Sequence, residues 1–67
     1  MTILLNGDTT TLDARELTVR GVLAAKGWSF PLIIVQVNGT VIPRDSWDTA
    51  PVRDGDRMDA LHLVSGG

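Results

Sequence analysis

Cysteine is absent from the 67 residues. That excludes disulfide staples, thiolate zinc sites, redox pairs and a cysteine nucleophile together, and leaves packing to supply the stability. A basic excess is also missing. Six Lys and Arg stand against eight Asp and Glu with no basic run, so the electrostatic footprint of a nucleic-acid binder is not there. The longest apolar run, "PLIIVQV", is far too short to span a bilayer, and no basic region precedes an apolar stretch at the N-terminus; the expectation is a cytoplasmic protein with no membrane contact. Aromatic residues make up 4% of the chain and form no platform, and no glycine loop of the phosphate-cradling kind occurs. His62 is the only histidine. A Ser-His-Asp arrangement would have to recruit Ser29, Ser46 or Ser65, none of which has a spacing that favours it. No enzyme site is visible.

What is present is a chain of one domain's length with 43% apolar residues, near the lower size limit for folding without help. "TILLNGDTTTL" reads as two short strands about Asn6-Gly7-Asp8, a strong hairpin signal because Asn and Gly tolerate positive φ. In "ELTVRGVLAAKG", Val19, Val22 and Leu23 recur at helical spacing. Thr18 can cap the first turn, Gly27 can end the helix, and Leu17 with Val22 are spaced as a hydrophobic staple. Gly21, costly in a helix interior, hints at close packing on a sheet. "LIIVQV" after Pro31 turns at Asn38-Gly39 into "TVI", and "PRDSWDTAP" is a loop. Asp54-Gly55-Asp56 then turns the chain into a last strand, "RMDALHLV". The predicted order is β-β-α-β-β-β.

One helix covers one face of such a sheet and leaves the other to solvent or a partner. Alternation places Ile3, Leu5, Val35 and Val37 inward and Leu4 and Ile34 outward. In the last strand it predicts Leu61 and Leu63 inward, Ala60, His62 and Val64 outward, and gives Asp59 core-side parity. Leu4, Ile34, His62 and Val64 are therefore the candidate partner-binding residues. Asp54, Asp56 and Asp59 resemble a fragment of a calcium loop, but the closing glutamate is absent and turn chemistry is the expected role. Arg44 and Trp47 are a recognition pair or, with Trp47 as the usual packing anchor, part of the core. The chain ends "LHLVSGG", a strand-forming run followed by Ser65, Gly66 and Gly67. Such an end is a frayed terminus, a linker remnant or the working part itself.

The element order, the "DGD" turn, the "LHLV" strand and the free "GG" resemble the ubiquitin-like β-grasp proteins. More narrowly, "ILLNG", "VNGTVIPRDSW" and "DGDRMDALHLVSGG" resemble the ThiS family of sulfur carriers, with Asp59 standing where that family often has an apolar residue. The resemblance implies an α+β fold: a mixed four- to five-stranded sheet packed on one helix, with residues 1–64 as the carrier domain and 65–67 as a flexible reactive tail. It implies a protein that is not an enzyme but a substrate and sulfur donor in thiazole, hence thiamine, biosynthesis. Gly67 would be adenylated and converted to a thiocarboxylate, with Gly66 and Ser65 threading a partner's channel that a side chain would block. ATP and Mg would be used by the activating partner, with no cofactor resident in the chain. The implied partners are a ThiF-like adenylating enzyme, a ThiG-like thiazole synthase and a sulfur donor such as a cysteine desulfurase, the free carrier being a monomer. The alternatives are a carrier of the same fold resembling the small subunit of molybdopterin synthase, and a ubiquitin-like protein modifier.

Overall fold

The computed structural model describes residues 1–28 and 32–62. Strands β1 (Thr2–Leu5) and β2 (Asp8–Thr11) form the first hairpin, followed by β3 (Glu16–Thr18), helix α1 (Val19–Lys26) and the second hairpin, β4 (Ile33–Val37) and β5 (Thr40–Ile42). A 3-10 turn (Arg44–Ser46), β6 (Pro51–Arg53) and β7 (Arg57–His62) complete the order. The main sheet runs β2-β1-β7-β4-β5, with β1 and β7 parallel and the other neighbours antiparallel. The predicted mixed sheet on one helix is therefore present, and β7 lies at its centre.

Both Asn-Gly turns form as expected. Asn6 and Gly7 have φ 52° and 83°, and Asn38 and Gly39 have φ 52° and 85°, the pair of left-handed residues that a two-residue hairpin loop needs. Strands β1 and β4 then alternate in burial. Ile3, Leu5, Val35 and Val37 are buried against α1, whose Val19, Val22 and Leu23 complete the core with Trp47, Val52, Met58 and Ala60. The Asp54-Gly55-Asp56 turn also forms, and its carboxylates bond backbone: Asp54 Oδ1 accepts from Thr2 N and Asp56 Oδ2 from Arg53 N.

The register of β7 differs from the sequence expectation by one residue. Met58 and Ala60 point inward, and Leu61 is 59% exposed on the outer face. Cross-strand partners share a face, and β7 pairs with β4 as Val37↔Met58 and Val35↔Ala60. The two buried valines thus decide which β7 residues are inside, although leucine is the more apolar residue. By the same parity Asp59 lies on the outer face, where its Oδ2 accepts from Arg57 Nε at 3.2 Å. The inward expectation for Leu63 and the outward one for Val64 lie outside the described residues.

Helix α1 has only eight residues, so its unpaired N-terminal N–H groups matter. Thr18 is the cap as expected, its Oγ1 accepting from Gly21 N at 3.1 Å, and Gly27 ends the helix at φ 71°. The loop from 43 to 50 supplies the rest. Val19 N donates to Ala50 O and Arg20 N to Trp47 O, both at 2.9 Å. Trp47 is buried and its Nε1 donates to Ile42 O at 3.0 Å, so the loop is anchored to β5. The close neighbour of Gly21 is Leu17 rather than the main sheet: a Cβ at Gly21 would meet Leu17 Cδ2 at 3.2 Å. Leu17 belongs to β3, which pairs with β6 in a second, two-stranded sheet absent from the predicted order. There Glu16 Oε2 accepts from Arg53 Nε at 2.8 Å, and this bond raises the Arg53 guanidinium above its ordinary pKa. Replacing Thr18 with alanine is expected to cost about 1 kcal/mol, with Thr18→Ser close to wild type; urea unfolding measures both.

Candidate functional site

Central strand β7 is held on both sides before the sequence continues into 63–67. On one side β4 pairs with it from Val37↔Met58 to Ile33↔His62. On the other, β1 pairs at Leu4↔Arg57 and Leu5↔Met58. Asn6 N then donates to Met58 O at 3.0 Å, and the Asn6 side chain accepts from Ala60 N at 2.7 Å through Oδ1. The expected reactive residues Ser65, Gly66 and Gly67, with Val64, lie outside the described residues.

The outer face of the sheet carries Leu4, Ile34 and Leu61, all exposed, with Val41 on neighbouring β5. Ile34 and Leu61 are direct cross-strand partners at the end of β7 that leads to 63–67. Gln36 separates Val41 from Asp59, and the Arg57–Asp59 ion pair stands between Leu61 and Leu4. The surface is therefore amphipathic: apolar side chains around one ion pair, a composition that suits a reversible protein contact. Leu4 and Ile34 take the places alternation assigns them. Leu61 was missed, because its apolar character favoured an inward assignment.

His62 is exposed but does not join that face. It shares parity with Met58 and Ala60 and pairs with Ile33. With Asn6, Trp28, Ile33 and Ala60 it lines a cleft of about 320 Å³. Arg44 and Trp47 resolve differently from a recognition pair, for Trp47 is core and the Arg44 guanidinium carbon lies 4.6 Å from its ring centre. Arg20 approaches the same ring at 5.5 Å. Among the described residues no three His, Asp or Glu side chains gather to hold a metal ion, and no helix is long and apolar enough to cross a membrane.

The family model for ThiS matches residues 3–67. The chain belongs to the ThiS family. Its fold superposes on the crystal structure of the thiamine biosynthesis protein ThiS from Geobacter metallireducens with a TM-score of 0.88 and 33% identity over the whole of both chains. The solution structure of a thiamine biosynthesis protein from the same organism gives a TM-score of 0.83 at 33% identity, covering all of this chain and 88% of that one. No curated protein matches the chain. The five-stranded mixed sheet with one helix is the ubiquitin-like β-grasp of that ThiS family.

Proposed function

We propose that this ThiS-family chain is a sulfur carrier of thiamine biosynthesis. The observation that carries the reading is the family match, which runs through residue 67 and so includes Ser65-Gly66-Gly67. The crystal and solution structures of the Geobacter metallireducens relative are both described as those of a thiamine biosynthesis protein. In this reading the chain is a substrate. A ThiF-like adenylating enzyme binds it together with ATP and Mg, and a carboxylate oxygen of Gly67 attacks the α-phosphorus. The bond to pyrophosphate breaks and an acyl-adenylate forms. Hydrosulfide then adds to the Gly67 carbonyl carbon, AMP leaves with its bonding pair, and a thiocarboxylate remains after loss of a proton. A donor such as a cysteine desulfurase supplies the sulfur as a persulfide, from which a reducing thiol releases hydrosulfide while the two remaining sulfurs join in a disulfide, and a ThiG-like thiazole synthase receives the sulfur from the thiocarboxylate.

The docking surface in this reading is the outer face, Leu4 and Ile34 with Leu61, gripped by the adenylating enzyme beside the strand that leads to Gly67. Incubation with that enzyme, Mg-ATP and sulfide is expected to exchange one oxygen for one sulfur on Gly67, read by intact mass and fragmentation. Gly66→Ala is expected to lower the rate roughly tenfold or more, because a Cβ misplaces the reacting carboxylate in a channel shaped for glycine. Its unfolding temperature should match wild type. A product mapped to a side chain, or an amide to a partner lysine in place of the thiocarboxylate, overturns the proposal.

A further inference from the structure

Asn6 sits where two demands on the backbone conflict. The chain must turn back into β2, which its φ of 52° begins. Yet β7 continues past the last β1 pair, Leu5↔Met58, toward the residues that carry the chemistry. In a parallel ladder one residue donates its N–H to the carbonyl of one strand position and accepts, through its own C=O, the N–H two positions further on. Asn6 makes the first bond with its backbone, N to Met58 O at 3.0 Å. It makes the second with its side chain, Oδ1 accepting from Ala60 N at 2.7 Å. The amide thus continues the ladder after the main chain has left it.

We infer that Asn6 is a positioning residue for activation of Gly67, its side-chain carbonyl standing in for a β1 rung and fixing where the central strand is held. The inference rests on the sulfur-carrier reading. Gly67 lies seven positions beyond Ala60, a span of at most about 25 Å, so the anchor at Ala60 bounds where the carboxylate can be delivered. Few residues meet the combined requirement. The position needs a left-handed φ, which asparagine tolerates better than most, and a short acceptor that bends back to a neighbouring strand. Asn38 offers an internal control. It also has φ 52° and its amide also bonds β7, but at the start of the strand: Oδ1 accepts from Arg57 N at 3.0 Å, and Nδ2 donates to Asp56 Oδ1 at 3.2 Å.

The test uses the full chain as Asn6→Gly, Asn6→Asp and Asn38→Gly, each with the adenylating enzyme, Mg-ATP and sulfide, below the unfolding temperature of every variant. Glycine keeps the φ and removes the acceptor; aspartate keeps the acceptor. For Asn6→Gly, hydrogen exchange at the Ala60 amide should accelerate about tenfold or more, as expected for a lost hydrogen bond. The KM for the carrier should rise roughly fivefold or more with kcat changed less, because order lost from the strand in the free carrier must be recovered on binding, before the chemical step. Asn6→Asp should restore both values, and Asn38→Gly should keep the wild-type KM while exposing Arg57 N to exchange. Wild-type KM in Asn6→Gly despite faster Ala60 exchange overturns the inference. So does an equal rise in Asn38→Gly, or a raised KM in Asn6→Asp with Ala60 still protected, the readout that decides if Asn6→Gly fails to fold. Failure of the sulfur-carrier reading looks different: no turnover in any variant, wild type included.

Discussion

Met58→Asp is expected to leave the chain unfolded at room temperature, whereas Leu61→Asp, three residues away on the same strand, is expected to leave it folded and impair docking. Met58 is fully buried at the middle of the sheet, between β1 and β4. A carboxylate there has no partner, and an uncompensated buried charge costs several kcal/mol. A chain of this size has only about 3–10 kcal/mol of net stability. Leu61 faces solvent beside Ile34, so the same substitution there loses little burial and should shift the unfolding midpoint slightly. Its effect should appear in association with the adenylating enzyme, where an unpaired charge in a desolvated contact weakens binding by roughly tenfold or more. Circular dichroism and titration calorimetry on the two variants decide the matter. A folded Met58→Asp and an unfolded Leu61→Asp would reverse the assignment of β7's faces, and unchanged affinity in Leu61→Asp would remove the outer face as the docking surface.

The second large effect is expected at Trp47. Its ring fills the space under the loop from 43 to 50, its Nε1 bonds Ile42 O, and its own carbonyl accepts the Arg20 N–H at the start of α1. Trp47→Ala removes the ring and the indole bond together and should cost about 3–5 kcal/mol. Much of the helix signal should go with it, because the loop that closes the helix N-terminus loses its anchor. Trp47→Phe keeps an aromatic ring and loses the bond to Ile42 O, so it should retain more than half of the stability. Urea denaturation followed in the far ultraviolet separates the two. An alanine variant as stable as the phenylalanine one would show that the ring is not what anchors the loop.

The parts of this molecule that were legible in its sequence are those written in one or two adjacent residues. Asn6-Gly7 and Asn38-Gly39 specify their turns locally, and Thr18 and Gly27 bound α1 for the same reason. Strands β3 and β6 were not legible. Three residues are too few to show a period of two, and Glu16 meets Arg53 across 37 positions of sequence. The faces of β7 failed for a related cause: the choice between Met58 with Ala60 and Leu61 with its odd-numbered neighbours is made by Val35 and Val37 on another strand. Leu4 and Ile34 of the candidate surface followed from alternation within their own strands. The second role of Asn6 could not be read, since its bond to Ala60 spans 54 residues.

The parallel pairing of β1 with β7 also dictates when this protein can fold. Until Arg57–His62 has been synthesised, β1 and β4 have no neighbour in common, and the two hairpins built on them are isolated units of a kind that is marginal in water. The eight-residue helix is too short to persist alone, and the carbonyls that receive its first N–H groups come from residues 47 and 50. A chain that stops before β7 is therefore expected to be protease-sensitive, and folding is slowed by pairings between distant parts of the sequence. Any product cut short before β7 lacks the sheet's centre and is expected not to fold. The strand that leads toward Gly67 is thus also the one whose arrival joins the two hairpins into a single sheet.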